Sequence, residues 1–218
     1  MNFIKYITML LLSFEPSYSD KETWEQRTAR MELIATAIDD AASKATCSDK
    51  YEDPKCQKTW LQSKKNIALL LVTKGYWESR FAKNVHEGNC RVDECDSYRV
   101  NGKTHHRARS LWQIQKTGLE THEEYAQMNS SSIEATTMSA NIAVRHLVLG
   151  MNKCRTILGT IALYGGAPSC DWSGAVPREA FYKRISSMSE DQVFTAADAR
   201  KVKHQSKSKG IVFVTNDK

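Results

Sequence analysis

One glutamate opens the chemistry of this chain. In "GYWESRFAKN", residues 75 to 84, Glu78 follows Trp77, precedes Phe81 by three, and closes a long apolar run. A solvated glutamate, with a pKa of about 4.3, is almost wholly ionised at neutral pH. Burial beside aromatic and aliphatic groups disfavours the charged form and raises that pKa, so that the carboxyl keeps its proton and acts as a general acid. The competing reading is a surface carboxylate at a helix end, paired with Arg80. Downstream, a polar stretch holds Asp93 between Cys90 and Cys95, with Asp96 directly after Cys95.

The elements that must position these groups are mostly helical. From Trp24 to about Ala45, Met31, Ile34, Ala37, Ile38 and Ala41 recur at spacings of three and four, the period of an amphipathic helix. A second helix is expected from about Lys58 to Ser79. Its middle, "IALLLVTKGYW", is apolar on nearly every side, as suits a helix in the centre of a domain. Gly75 lowers helix propensity there and marks a tight packing contact or a bend. Residues 82 to 110 form either a long loop or a short hairpin about "YRVNGKTH", where Asn101-Gly102 is a strong turn signal. Helical patterns return in "GLETHEEYAQM" and from Ser130 to Gly150, where Ser131 and Glu134 have capping-box spacing. "CRTILGTIALYGG" is a helix stopped by its glycines, and "VPREAFYKRISSM" is one begun by Pro177. The end, from Ala197 to Lys209, is polar and lysine-rich, followed by "GIVFVTNDK".

Composition bounds the class. The 218 residues, 41% hydrophobic and 26% charged, suffice for one domain with a sizeable core. Only ten glycines and four prolines argue against a many-turned β-sandwich. Residues 1–19 have the order of a signal peptide: Lys5, an apolar stretch from Ile7 to Leu12, then small residues about Ser17 and Ser19. The competing reading is a buried N-terminal helix. No stretch is long enough to span a membrane as a mature helix. The six cysteines, Cys47, Cys56, Cys90, Cys95, Cys154 and Cys170, form three sequence-local pairs without zinc-finger spacing. Three disulfides in an oxidising compartment follow, secreted or periplasmic, with 47–56, 90–95 and 154–170 the simplest of fifteen connectivities. His105-His106 reads as exposed loop, and neither a metal nor a cofactor is expected. The net charge of +6 comes from scattered basic residues, which suits anionic membranes or an anionic wall polymer better than nucleic acid. Residues 20–218 read as a single domain, with a core at about 60–186, a polar C-terminal tail and a monomeric state.

The order of four elements resembles the lytic transglycosylase and goose-type lysozyme branch of the lysozyme-like superfamily. These are Glu78-Ser79-Arg80-Phe81 after an apolar helix, "ARSLWQI" (Ala108 to Ile114), Asn141-Ile142, and Ala162-Leu163-Tyr164-Gly165-Gly166. Ser110 stands where the family has glycine and Trp112 where it usually has methionine; the tyrosine of the last element sits one place late. The resemblance implies a mainly α, lysozyme-like domain with its clamped loop or hairpin beside the cleft. It also implies cleavage of the β-1,4 bond between N-acetylmuramic acid and N-acetylglucosamine in peptidoglycan. Glu78 would be acid and then base, Asp93 and Asp96 candidates for a second carboxylate, and Ser79, Gln113, Asn141 and Tyr164 substrate-binding. Trp77 and Trp112 read as core. The four acids of "EGNCRVDECD" suggest an acidic cleft edge that favours N-deacetylated peptidoglycan or a chitosan-like glycan. A lysozyme-like binding module without catalysis is the alternative of another class.

Overall fold

The computed structural model describes residues 2–16, 21–45, 63–91 and 93–208. They form a mainly helical assembly. In chain order come α1 (Phe3–Ser13), α2 (Trp24–Lys44), α3 (Lys64–Ser79) and the single turn α4 (Lys83–His86). Four short strands follow, β1 (Ser97–Val100), β2 (Lys103–His106), β3 (Ala108–Arg109) and β4 (Ile114–Gln115). The rest is α5 (His122–Gln127), α6 (Ile133–Cys154), α7 (Ile157–Tyr164), α8 (Val176–Ser187) and α9 (Glu190–Ser208).

At the centre lies α3, whose residues Ile67 to Gly75 are all buried. It packs on α2 and α8, while α2 also packs on α1 and α6, and α6 on α7. The expected apolar helix is thus present; residues 58–62 of its expected start lie outside the described residues. A helix apolar on every side must be covered on every side, and this need fixes the bundle around it.

The N-terminal segment reads differently in three dimensions. α1 places Ile7, Leu10, Leu11 and Leu12 in the core and packs on α2 and α9. Residues 3–13, within the segment read as a signal peptide, pack in this structure as a helix of the core. Its partner α9 occupies the stretch expected to be a polar tail. Val193 and Ala197 are fully buried there, so two apolar positions four apart suffice to seat a helix whose remaining surface is charged. "GIVFVTNDK", residues 210–218, lies outside the described residues. No described helix is long and apolar enough to cross a membrane.

Local signals set most boundaries. α6 starts one residue later than the capping-box spacing suggested: Ser132, not Ser131, is its N-cap and accepts from the Ala135 amide. The polar stretch after α4 folds as a hairpin, with Ser97 paired to His106 and Val100 to Lys103. Asn101 and Gly102 both take positive φ, 50° and 74°, as the tight turn between such strands requires. Disulfides join Cys90 to Cys95 and Cys154 to Cys170, while Cys47 and Cys56 lie outside the described residues.

Two buried contacts hold the end of α3. A Cβ on Gly75 would lie 2.4 Å from the Phe81 ring, so this glycine exists to let Phe81 fold back on the helix. Gly75→Ala should therefore cost about 1–3 kcal/mol by overpacking. Chemical denaturation reads this directly, and Phe81→Leu in the same chain should recover part of the loss. Farther round, His86 donates or accepts through Nε2 to Thr136 Oγ1 at 2.8 Å, tying α4 to α6. Burial, helped by the Arg30 guanidinium, pushes His86 down to about 4. Between pH 6.5 and 4 the unfolded chain then binds more protons than the folded one, and stability falls as pH falls. The loss across that window is about 3 kcal/mol. Urea unfolding of the wild type and of His86→Gln at pH 7 and pH 4 should show the slope in the former and a flatter one in the latter.

Candidate functional site

The turn that ends α3 is built by its own sequence. Arg80 enters the left-handed region (φ 53°) and its amide closes on the Tyr76 carbonyl, the usual geometry of a helix C-terminus. Ser79 Oγ donates to the Gly75 carbonyl (3.0 Å) and accepts from the Phe81 amide (3.1 Å). Phe81 also has φ 53°, a conformation that costs a non-glycine residue roughly 1–2 kcal/mol. Its carbonyl accepts from Arg30 Nη1 at 2.7 Å, and Arg30 is locked to Glu22 by Nε and Nη2 at 2.7 and 2.6 Å. Ser79, expected to bind substrate, commits its hydroxyl to these two hydrogen bonds behind Glu78 and is not among the residues that line the Glu78 cleft.

Glu78 lines a cleft of about 360 Å³ with Asp96, Gln113, His146, Tyr164 and the Gly165-Gly166 pair. Four candidates separated by up to 86 positions in sequence, from Glu78 to Tyr164, meet here. Asp93 and Asn141 are not among its lining residues. Asp93 is 74% exposed and faces Arg91, and Asn141 Nδ2 donates to the Thr137 carbonyl on its own helix. The acidic stretch is largely satisfied locally: Glu94 accepts from Asn84 Nδ2 and the Arg91 amide, and Glu87 faces Lys83 at 3.7 Å. Only Asp96 carries that charge to the cleft, where Oδ2 accepts from Gln115 Nε2 at 3.2 Å.

The surroundings of Glu78 are not the apolar ones expected. Oε1 accepts from Lys74 Nζ at 2.7 Å and from Arg178 Nη1 at 2.8 Å. Lys74 lies one helical turn before Glu78 and its side chain is fully buried. Its ammonium rests 4.1 Å from the centre of the Tyr164 ring. Burial pulls Lys74 down to about 8, and the Glu78 charge opposes the fall. Arg178 comes from α8 and sits between the Trp77 and Trp172 rings, 5.8 and 5.4 Å from their centres. Oε2 of Glu78 makes no hydrogen bond among the described residues, which leaves one carboxylate oxygen committed and one open.

Tyr164 ends α7. Its hydroxyl donates to the Trp112 carbonyl at 3.0 Å, so its ring, rather than its oxygen, faces the charge network. Burial and the nearby Glu78 charge push this phenol well up. Trp112 is buried and donates from Nε1 to the Leu71 carbonyl at 3.0 Å; it is core. Trp77 is not core but 39% exposed. Gln113 Nε2 donates to the Ser110 carbonyl (3.2 Å) and to Cys95 Sγ (3.1 Å). Ser110 takes φ 63°, which explains in physical terms why a glycine would be at ease there.

Three site residues escaped the sequence reading. Lys74 carried a signal, a lysine inside an apolar run four residues before Glu78. His146 carried one too, standing four after Ile142 on the buried side of α6; its proton affinity is lowered by burial. Arg178 carried none, since only the packing of α8 on α3 brings it across 100 positions. The Cys154–Cys170 bridge ties the end of α6 to the loop that precedes α8. A Cβ on Gly159 would strike Cys154 Cβ at 2.4 Å, so Gly159 admits the bridge that anchors the loop bearing Trp172.

Comparison with known proteins adds no relative: no family model matches the chain, and neither curated proteins nor solved structures match it.

The buried pair gives a direct test. NMR titration of the lysine side chains should show a single buried lysine titrating near pH 8, against an ordinary value of about 10.4. Because the Glu78 charge raises it, Glu78→Gln should move that titration lower still; an unmoved curve would remove the ion pair from the account. As pH rises from about 8 towards 10.5 the unfolded chain holds the extra proton, so this group's cost to folding diminishes.

Proposed function

We propose that this chain cleaves the β-1,4 linkage between N-acetylmuramic acid and N-acetylglucosamine in peptidoglycan, with Glu78 as general acid and base, on a lysozyme-like helical domain outside the reducing cytosol. The observation that carries this reading is the meeting of Glu78, Asp96, Gln113 and Tyr164 in one cleft. The two disulfides suit an oxidising compartment.

In this reading, Glu78 Oε2 carries the proton. It passes to the glycosidic oxygen as the C1–O bond breaks and its electron pair goes to the leaving sugar. The Glu78 anion so formed is met at once on Oε1 by Lys74 and Arg178. It then takes a proton from a water molecule, or from the sugar's own C6 hydroxyl, as that oxygen bonds to C1. Water gives hydrolysis; the C6 hydroxyl gives a 1,6-anhydro product. Asp96 is the second carboxylate available to orient water. Lys74 and Arg178 also pair with the Glu78 carboxylate, and this observation supports a second reading, a glycan-binding module in which the ion pair is structural.

Glu78→Gln separates the two. The amide oxygen still accepts from Lys74, so the fold, read by circular dichroism, should persist. Clearing of peptidoglycan suspensions should fall by about 10²–10⁴-fold, and unchanged clearing would exclude Glu78 from the chemistry. Mass spectrometry of released fragments assigns hydrolysis or anhydro-sugar formation.

A further inference from the structure

Round the end of α3 from Glu78 lies a second depression of about 420 Å³, formed with α8. Its floor is aromatic. The Tyr76 and Phe181 rings stack with centres 4.6 Å apart and planes 6° from parallel, and Trp77 stands edge-on to both. Over this floor lie two guanidinium groups, Arg80 at 5.9 Å from the Tyr76 ring centre and Arg184 at 5.0 Å from that of Phe181. Pro177 closes one side. Neither Arg80 nor Arg184 pairs with a carboxylate among the described residues, in contrast to Arg178 next to them. A guanidinium seated over an aromatic face and not paired with a carboxylate keeps N–H groups for a planar, two-toothed anion.

The geometry points to a binding site for the carboxylates of a short peptide, with Arg80 and Arg184 as the two anchors and the Tyr76–Phe181 pair as the platform beneath the chain. The inference rests on the proposed activity for the identity of that peptide: the peptide stems borne by the glycan strand, which bring free carboxylates close to the scissile sugar. Three features support it. The volume is in the range that holds a small ligand, about 300–1,000 Å³. The charge is of one sign, with two unpaired cations and no acid among the lining residues. And Trp77, the residue before Glu78, belongs to this wall, so a stem held here stays with the strand in the neighbouring cleft. The left-handed turn at Arg80, which leads its side chain back over Tyr76, acquires a purpose beyond ending the helix.

The test uses the full-length protein and a synthetic tetrapeptide with two free carboxylates, against the same peptide with both amidated. Tryptophan fluorescence reports binding through Trp77. The acid peptide should saturate the signal, and the amidated one should bind at least about tenfold more weakly, the loss of a charge-assisted contact being worth at least 1.4 kcal/mol. Arg80→Gln with Arg184→Gln should abolish the preference while leaving the thermal unfolding midpoint within about 2 °C, since both side chains are exposed. Equal binding of the two peptides, equal binding by the double variant, or displacement by inorganic phosphate at matching concentration would each overturn the assignment. The measurement requires no bond cleavage. Peptide binding without wall clearing would therefore count against the catalytic reading alone, and clearing without peptide binding against this site alone.

Discussion

The contact between Gly75 and the Phe81 ring is the constraint on which the rest is arranged. α3 is buried from Ile67 to Gly75, and a buried helix must end in a turn that leaves without colliding with its own covering. Here the chain reverses through two successive left-handed residues and lays Phe81 on the helix at the one position without a side chain. Arg30, itself held by Glu22, fixes the Phe81 carbonyl from the far side. Both faces of the turn are thereby pinned, and Glu78 projects from it at a fixed angle into the cleft while Trp77 and Arg80 project into the adjoining groove.

Charge is distributed over this frame with a division of labour. Burying an ammonium costs several kcal/mol unless it is paired, and Lys74 meets that need with Glu78 on one side and the face of Tyr164 on the other. The carboxylate consequently enters the cleft with one oxygen engaged and the other open. Tyr164, by giving its hydroxyl to the Trp112 carbonyl, ties the segment Ser110–Gln113 to the end of α7. The cleft is less a pocket lined by independent side chains than a chain of hydrogen bonds running from α3 to α8 by way of one carboxylate.

Local pattern made the helices legible. The apolar run to Ser79, the glycines after Tyr164, Pro177 at the start of α8 and the Asn101-Gly102 turn are signals written within a few residues, and each forms the element it suggests. Glu78 could be picked out because it closes an apolar run, while Gln113 and Tyr164 were singled out by the resemblance of their elements to the lysozyme-like order, and Asp96 by its place in an acidic stretch that the same resemblance singled out. What sequence hid was set by distance. The cations on Glu78 come from inside the same helix and from a hundred residues away, and the expectation of apolar surroundings missed both because hydropathy averages over them. Asp93 and Asp96 were indistinguishable in sequence; they separate only because Asp96 lies at the foot of the hairpin while Asp93 stays on the outside. α9 was hidden for a different reason, since two buried side chains among the seventeen described from Glu190 to Ser206 leave almost no apolar period.

The docking of α1 has a further consequence. Phe14, just beyond its last turn, packs on Tyr76 and Phe181 with ring centres 5.0 and 5.5 Å away, so the first helix of the chain forms the back of the aromatic platform. The seat of α1 and the stacked pair are then thermodynamically linked, and linkage is reciprocal. Whatever steadies the two rings from the solvent side also tightens the hold on the N-terminus, and whatever draws the N-terminus away slackens the rings. The beginning of the chain and the mouth of the groove answer to a single equilibrium.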